Sequence, residues 1–342
     1  MKPLTGLKVL ELTAIGPVPF AGMQFRQFGA EVTRVLAPSS TDIDFLAESD
    51  ADLLNRGKTI LRANLKTPEG RARFEESLAD ADVLLEGFRP GVLERLGYVP
   101  DELLERFPTL VIGRLSGFGR EGPLAPRAGH DINFLALSGV LAAIGPAERP
   151  MLPLNFVADF GGGAMHLLAA VLAMLVRRGI TGTGGLADTS ILAGTLGLTP
   201  MFHGLLADGH WTLEREANSI DGGLPYYAIY PTADERFVAV GALEQRFYRN
   251  LLELLELDDR FNAEDQYKRD TWPALREAIA ARLRERTRDD WALAAEGIDC
   301  CLSPVLDFQE AMDCEHNRVN GWISDVPFAR PDDLVSFSSD RR

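Results

Sequence analysis

Apolar and polar positions alternate along the first third of the chain in blocks that read as strand, helix, strand. Residues 7–12 form a short apolar run of β type. After Pro17 and Pro19, residues 20–28 have helical spacing, Gly29 ends them, and residues 31–36 alternate like a second strand. The rhythm continues with strands predicted over 59–64, 83–86 and 110–115 and helices over 69–79 and 101–107. Repeated β-α-β units imply a parallel, Rossmann-like sheet with right-handed crossovers, the mark of an α/β layer fold. Residues 165–176, apolar except for His166, are too few to span a bilayer and suit a core helix.

Beyond residue 200 the pattern changes. Residues 203–218 read as loop, and Asp221-Gly-Gly-Leu-Pro225 follows. Residues 226–231 and 237–241 resemble an antiparallel pair around Thr232-Ala-Asp-Glu235, and helices are expected over 245–256, 271–286 and 289–296. No parallel alternation survives there, which predicts a smaller α+β domain. The division expected is a large α/β domain over 1–200, a linker over 201–225, the small domain over 226–310, and a tail over 311–342 that returns toward the large domain.

Composition narrows the function. The chain has 342 residues, enough for two cores, and a net charge of -15, which argues against a nucleic-acid surface. Cys300, Cys301 and Cys314 are too few and too clustered for a disulfide framework, and adjacent cysteines with His316 nearby fit a zinc site poorly, so no metal is expected. The first residues lack the apolar core of a signal peptide, and a soluble, cytoplasmic chain with no membrane partner is the expectation. The turn Thr13-Ala-Ile-Gly-Pro17 lacks the phosphate-binding G-x-G-x-x-G, and the glycines at 182–185 stand between helix and strand in the wrong order. Neither nicotinamide nor flavin is expected.

Two ionisable residues stand at the mouths of apolar elements. His130 lies in Ala128-Gly-His-Asp-Ile-Asn-Phe134, and Asp159 in Asn155-Phe-Val-Ala-Asp-Phe-Gly-Gly-Gly163. By pattern alone Asp159 is a helix cap, His130 a loop or core histidine, Asp131 and Asn133 turn or cap residues, and Glu244 a solvated strand end. Together, however, a histidine and a carboxylate can remove a proton from one face of a carbon and return it to the other. Apolar neighbours Phe156, Val157 and Phe160 would raise the Asp159 pKa and a helix N-terminus would lower it, so the sequence leaves the sign open.

The ordered motifs carry a resemblance. Leu53-Leu-Asn-Arg-Gly-Lys58, Phe88-Arg-Pro-Gly-Val-Leu-Glu-Arg-Leu-Gly97, Arg114-Leu-Ser-Gly-Phe-Gly119, the His130 and Asp159 segments, Asp221-Gly-Gly-Leu-Pro-Tyr226 and Val240-Gly-Ala-Leu-Glu244 occur in sequence. The chain resembles the family III CoA-transferases (the CaiB/BaiF group), and within them the α-methylacyl-CoA racemases, over nearly its whole length. The resemblance implies the family fold and an interlocked homodimer. It implies an acyl-CoA substrate with no separate cofactor, and epimerisation of 2-methylacyl-CoA thioesters through an enolate. His130 and Asp159 are then the two bases, and Glu244 is the carboxylate that orients the histidine. Coenzyme A carries phosphates, for which Arg56, Lys58, Lys66 and Arg89 are candidates. The resemblance points further to Ala63, Asn64, Leu65 and Lys66, to Arg89, and to the backbone of Gly129, Asp131, Ile132, Asn133 and Phe134. Departures from the family stand at Ala37, where relatives often carry arginine, at 24–27, and in the early end at Arg342. Two other readings share these residues: a CoA-transferase with Asp159 as nucleophile, and a CoA-thioester binding protein without catalysis.

Overall fold

The computed structural model describes residues 1–12, 14–37, 52–324 and 330–331. Ala37 is therefore described, whereas half of the expected tail lies outside the described residues. The chain divides into two compact units. The first holds Met1–Leu141 and Pro153–Met201; the second holds Ala142–Leu152 and the described residues from Phe202 on. The inclusion of residues 142–152 in the second unit has no signal in the apolar pattern.

In the first unit, β1 (Lys8–Leu12), α1 (Pro17–Gln27), β2 (Glu31–Leu36), β3 (Thr59–Arg62), α2 (Pro68–Ala79) and β4 (Val83–Glu86) build the first half of the sheet. Then come α3 (Val92–Arg95), α4 (Pro100–Arg106), β5 (Val111–Ser116), α5 (Asp131–Ser138) and α6 (Val140–Ala143). A π-helical segment, Phe156–Met165, runs straight into α7 (His166–Thr181), followed by β6 (Gly185–Ser190) and α8 (Ile191–Leu196); α9 (Pro200–Ala207) begins at the end of this unit and continues into the second. All six strands are parallel, in the order β3-β2-β1-β4-β5-β6. β4 and β5 are buried along their whole length, as strands covered by helices on both faces must be. The strand order reverses direction between β1 and β4, and a crevice opens at their carboxyl ends.

The two prolines expected to precede α1 lie inside its first turn, with Pro17 at its first position. The first N–H groups of a helix have no partner in any case, so proline is accommodated there. The expected loop from residue 203 likewise begins as helix, because α9 carries His203. Residues 156–181 form one continuous helix of 26 residues, long and apolar enough to cross a membrane by length and composition. Here its Leu167, Leu168 and Val171 are buried in the core with Val111 and Leu115 of β5.

The second unit has a three-stranded antiparallel sheet of β7 (Tyr227–Pro231), β8 (Phe237–Gly241) and β9 (Leu302–Pro304), order β7-β8-β9. Helices α10 (Gln245–Leu254), α11 (Trp272–Leu283) and α12 (Arg288–Ala294) bury Leu251, Leu275, Ile279, Leu283 and Trp291 in its core.

Candidate active site

Asp159 sits in the first turn of the π-helical segment, a form of helix that recurs at functional sites. The sequence Gly161-Gly-Gly163 allows that segment to press on α8. A Cβ on Gly162 would lie 2.5 Å from Thr195 Oγ1 and 2.6 Å from its backbone nitrogen. This close approach seats the segment over the sheet. At the carboxyl end of β1, Gly16 has φ of 71°, and a Cβ there would lie 3.3 Å from Asp159 Oδ2. The carboxylate therefore stands at the crevice where the strand order reverses. Phe20 of α1 stacks on Phe160 with ring centroids 4.4 Å apart and covers one side.

His130 occupies the residue before α5. Its backbone N–H donates to Asn133 Oδ1 at 3.0 Å, which fixes the start of the helix, and its side chain is exposed. Phe134, one turn on, is buried and meets Phe118 edge-on at 4.9 Å, anchoring α5 beneath the loop that leaves β5. Asp131 turns away from its own helix. Its Oδ1 accepts the backbone N–H of Asp159 at 2.9 Å.

These surroundings settle the sign that the sequence left open. Burial, followed by the neighbouring Asp131 charge, pushes the Asp159 carboxyl from 3.8 up to about 6, against the opposing influence of His130 and a hydrogen bond from Asn155. A carboxyl raised so far can hold or release a proton near neutral pH, as a group acting as acid in one direction and base in the other must. Sequence reasoning named Asn155 and Asp131 but gave Asn155 no role and Asp131 only a contact to CoA, so the bond from the Asp131 side chain to the Asp159 N–H was not anticipated.

Residues 4–337 match the family described as CoA-transferase family III. The chain belongs to that family. It is 41% identical to the alpha-methylacyl-CoA racemase of Mus musculus over 338 residues, covering 97% of this chain and 86% of the mouse protein. It is 40% identical to the alpha-methylacyl-CoA racemase of Homo sapiens over 319 residues, 93% of this chain and 81% of the human protein. The solved structure of a CaiB/BaiF family protein from Brucella suis matches with a TM-score of 0.80 at 25% identity, covering 99% of this chain and 93% of that one.

Within this family III chain the candidate CoA contacts fall along one edge of the sheet. Ala63, Asn64, Leu65 and Lys66 follow β3, Arg89 follows β4, and Gly129–Phe134 lie beyond β5. Neighbouring strands stand about 4.8 Å apart, so β3 and β4 are separated by roughly 14 Å, suited to a long ligand. Lys66 and Arg89 are exposed, Arg56 is half-buried, and Ala63 is buried. The loop bearing Arg89 is braced from below: Glu86 accepts the Phe88 N–H at 2.7 Å and pairs with buried Arg114, which also reaches Glu94 at 2.9 Å.

Lys58 is the exception. Its ammonium lies in the core of the family III chain, 2.7 Å from Glu11, 2.9 Å from the Pro19 carbonyl and 3.0 Å from Asn55, with a side chain only 1% exposed. A buried carboxylate on β1 takes up its charge, so Lys58 braces the first β-α turn and offers nothing to a phosphate. Glu244 precedes α10 in the second unit and is exposed.

Proposed function

We propose that this family III protein is a racemase of 2-methylacyl-CoA thioesters. The observation that carries the reading is the Asp159 carboxyl, raised to about 6 by burial and tied through its backbone N–H to Asp131, the residue that follows His130. The hydrogen beside a thioester is acidic enough to be abstracted when a base stands against it and donors meet the enolate oxygen. His130 takes the proton from one hand of the substrate while protonated Asp159 supplies one to the opposite face. For the other hand the roles exchange. The Asp131 and Ile132 N–H groups at the start of α5 provide donors for the enolate oxygen. The relatives named as racemases support the same chemistry.

Further parts of the reading rest on the resemblance. Glu244 orients His130 across a homodimer, in which each chain completes the site of its mate. Exposed Leu137, Val176, Ile180 and Leu198 in the first unit supply apolar surface for such an association. The reaction needs neither metal nor redox cofactor, and the free thiols of Cys300, Cys301 and Cys314 suit the cytoplasm.

The test is incubation with single 2R or 2S 2-methylacyl-CoA isomers in D₂O, following deuterium at Cα. Exchange from either isomer, unaffected by chelators, is the expected result. No exchange with any 2-methylacyl-CoA, or an Asp159 hydroxamate after hydroxylamine trapping, would overturn it, the second in favour of acyl transfer.

A further inference from the structure

We propose that the Asp131 side chain is a positioning residue for proton transfer: its carboxylate ties the backbone of Asp159 to the residue that follows His130, and so sets the two bases against each other. The inference rests on the racemase reading and names a residue on which that reading depends.

The geometry begins with an orphaned helix start. In the π-helical segment the first backbone bond runs from the Phe160 N–H to the Asn155 carbonyl at 3.2 Å, which leaves the N–H groups of Phe156 through Asp159 without helical partners. The position where a cap belongs is held by Asn155, yet its side chain makes no capping bond, being turned to the Asp159 carboxylate. The missing acceptor comes from another helix. Asp131 Oδ1 receives the Asp159 N–H at 2.9 Å, and the Ala158 N–H also donates to this carboxylate. The cap of the helix that carries one base is thus supplied by the neighbour of the other base. A movement of α5 relative to the segment would have to break these bonds, which are charge-assisted and stronger than neutral ones.

The same carboxylate also acts on Asp159 by its charge. The segment packs against α1, α5, α7 and α8. Of these, α8 has no ionisable side chain and α1 has only Arg26, which is exposed beside Gly57. Helix α7 has His166, exposed at its start, and at its far end Arg177 and Arg178, bonded to the Gly184 carbonyl and to Asp82. Helix α5 brings Asp131, with His130 before it. Asp131 is thereby the one acidic side chain on the elements that enclose Asp159, and its charge favours the protonated form of that base. A phosphate contact is excluded for it by charge, and an ordinary cap of α5 by the direction of its bonds.

Two variants separate tether from charge. Asp131→Asn keeps an oxygen toward the Asp159 N–H and removes the charge; Asp131→Ala removes both. Cα deuterium exchange is followed from about pH 5 to about pH 9, with amide exchange of the peptide spanning residues 156–163. For Asp131→Asn the acidic limb of the rate profile should move down by about 1 pH unit, with the Asp159 amide still protected. For Asp131→Ala that amide should lose protection, and kcat should fall about 10- to 100-fold with KM changed less than about twofold. Wild-type exchange with an unmoved acidic limb in the Asn variant, or an Asp159 amide equally protected in the Ala variant, overturns the proposal. A wild-type protein that exchanges no substrate overturns the racemase reading and this inference with it.

Discussion

An acid whose folded pKa is raised favours the fold less once it ionises. For Asp159 the native state binds more protons than the unfolded chain between 3.8 and about 6, so its contribution to stability declines as pH rises through that window. Asp159→Asn should therefore raise the unfolding temperature above about pH 6, with the gain shrinking toward pH 3.8, while racemisation is lost. Thermal scans at several pH values check the sign, and a gain independent of pH would contradict it. His130→Ala and Asp159→Ala should each slow exchange by roughly 10²–10⁴-fold, whereas Glu244→Gln, at a residue proposed to orient and not to transfer a proton, should slow it less. Lys58→Ala should act on the fold: removing one member of a buried ion pair costs about 3–5 kcal/mol, read by denaturant titration, with little change in CoA affinity among molecules that remain folded. At this scale the residue types were legible before their surroundings were. His130 and Asp159 stand out because few side chains can exchange protons near neutrality. Lys58 has the same charge as any phosphate-binding lysine, and only the sheet, by placing Glu11 beneath it, shows that its charge is already matched.

Elements with a clean period were read almost to the residue. Strand β4 and the pair β7–β8 coincide with their expected spans because burial on one or both faces fixes the apolar pattern. Where backbone geometry outranks side-chain pattern, the reading slipped. Prolines signalled a break, yet α1 holds them in its first turn; the Asp159 segment gave no sign of π-helical winding, since nothing in a glycine run distinguishes that from an ordinary turn. Its packing explains why the glycines are there. A Cβ on Gly194 would enter the Gly162 carbonyl, so the π-helical segment and α8 meet backbone to backbone. Gly194→Ala should force them apart, destabilising the protein by about 3 kcal/mol, the upper part of the range for overpacked sites. Denaturant midpoints measure the first effect, and a fall in kcat larger than the rise in KM the accompanying shift of Asp159. An Ala variant of unchanged stability would mean that the two elements do not touch this closely.

For the molecule as a whole, the proposed homodimer makes a prediction of its own. Light scattering should give twice the chain mass, and mixing a His130→Ala chain with a Glu244→Ala chain should restore part of the activity if each site draws on both protomers. An active monomer would remove that claim. One feature of the large unit bears on heat resistance. Asp159 lies on the same unbroken 26-residue helix whose inner residues, Leu167, Leu168 and Val171, fill the core under the sheet. Many catalytic loops melt early because they hang from the scaffold by few contacts. The turn that carries Asp159 is held more firmly, by the Asp131 carboxylate and by the close approach of Gly162 to Thr195, and it runs on into a helix fixed in the core. Warming should leave the enzyme fully competent until it fails all at once, the midpoint of inactivation coinciding with the midpoint of the calorimetric transition. Inactivation well below that transition would show that the active turn melts alone.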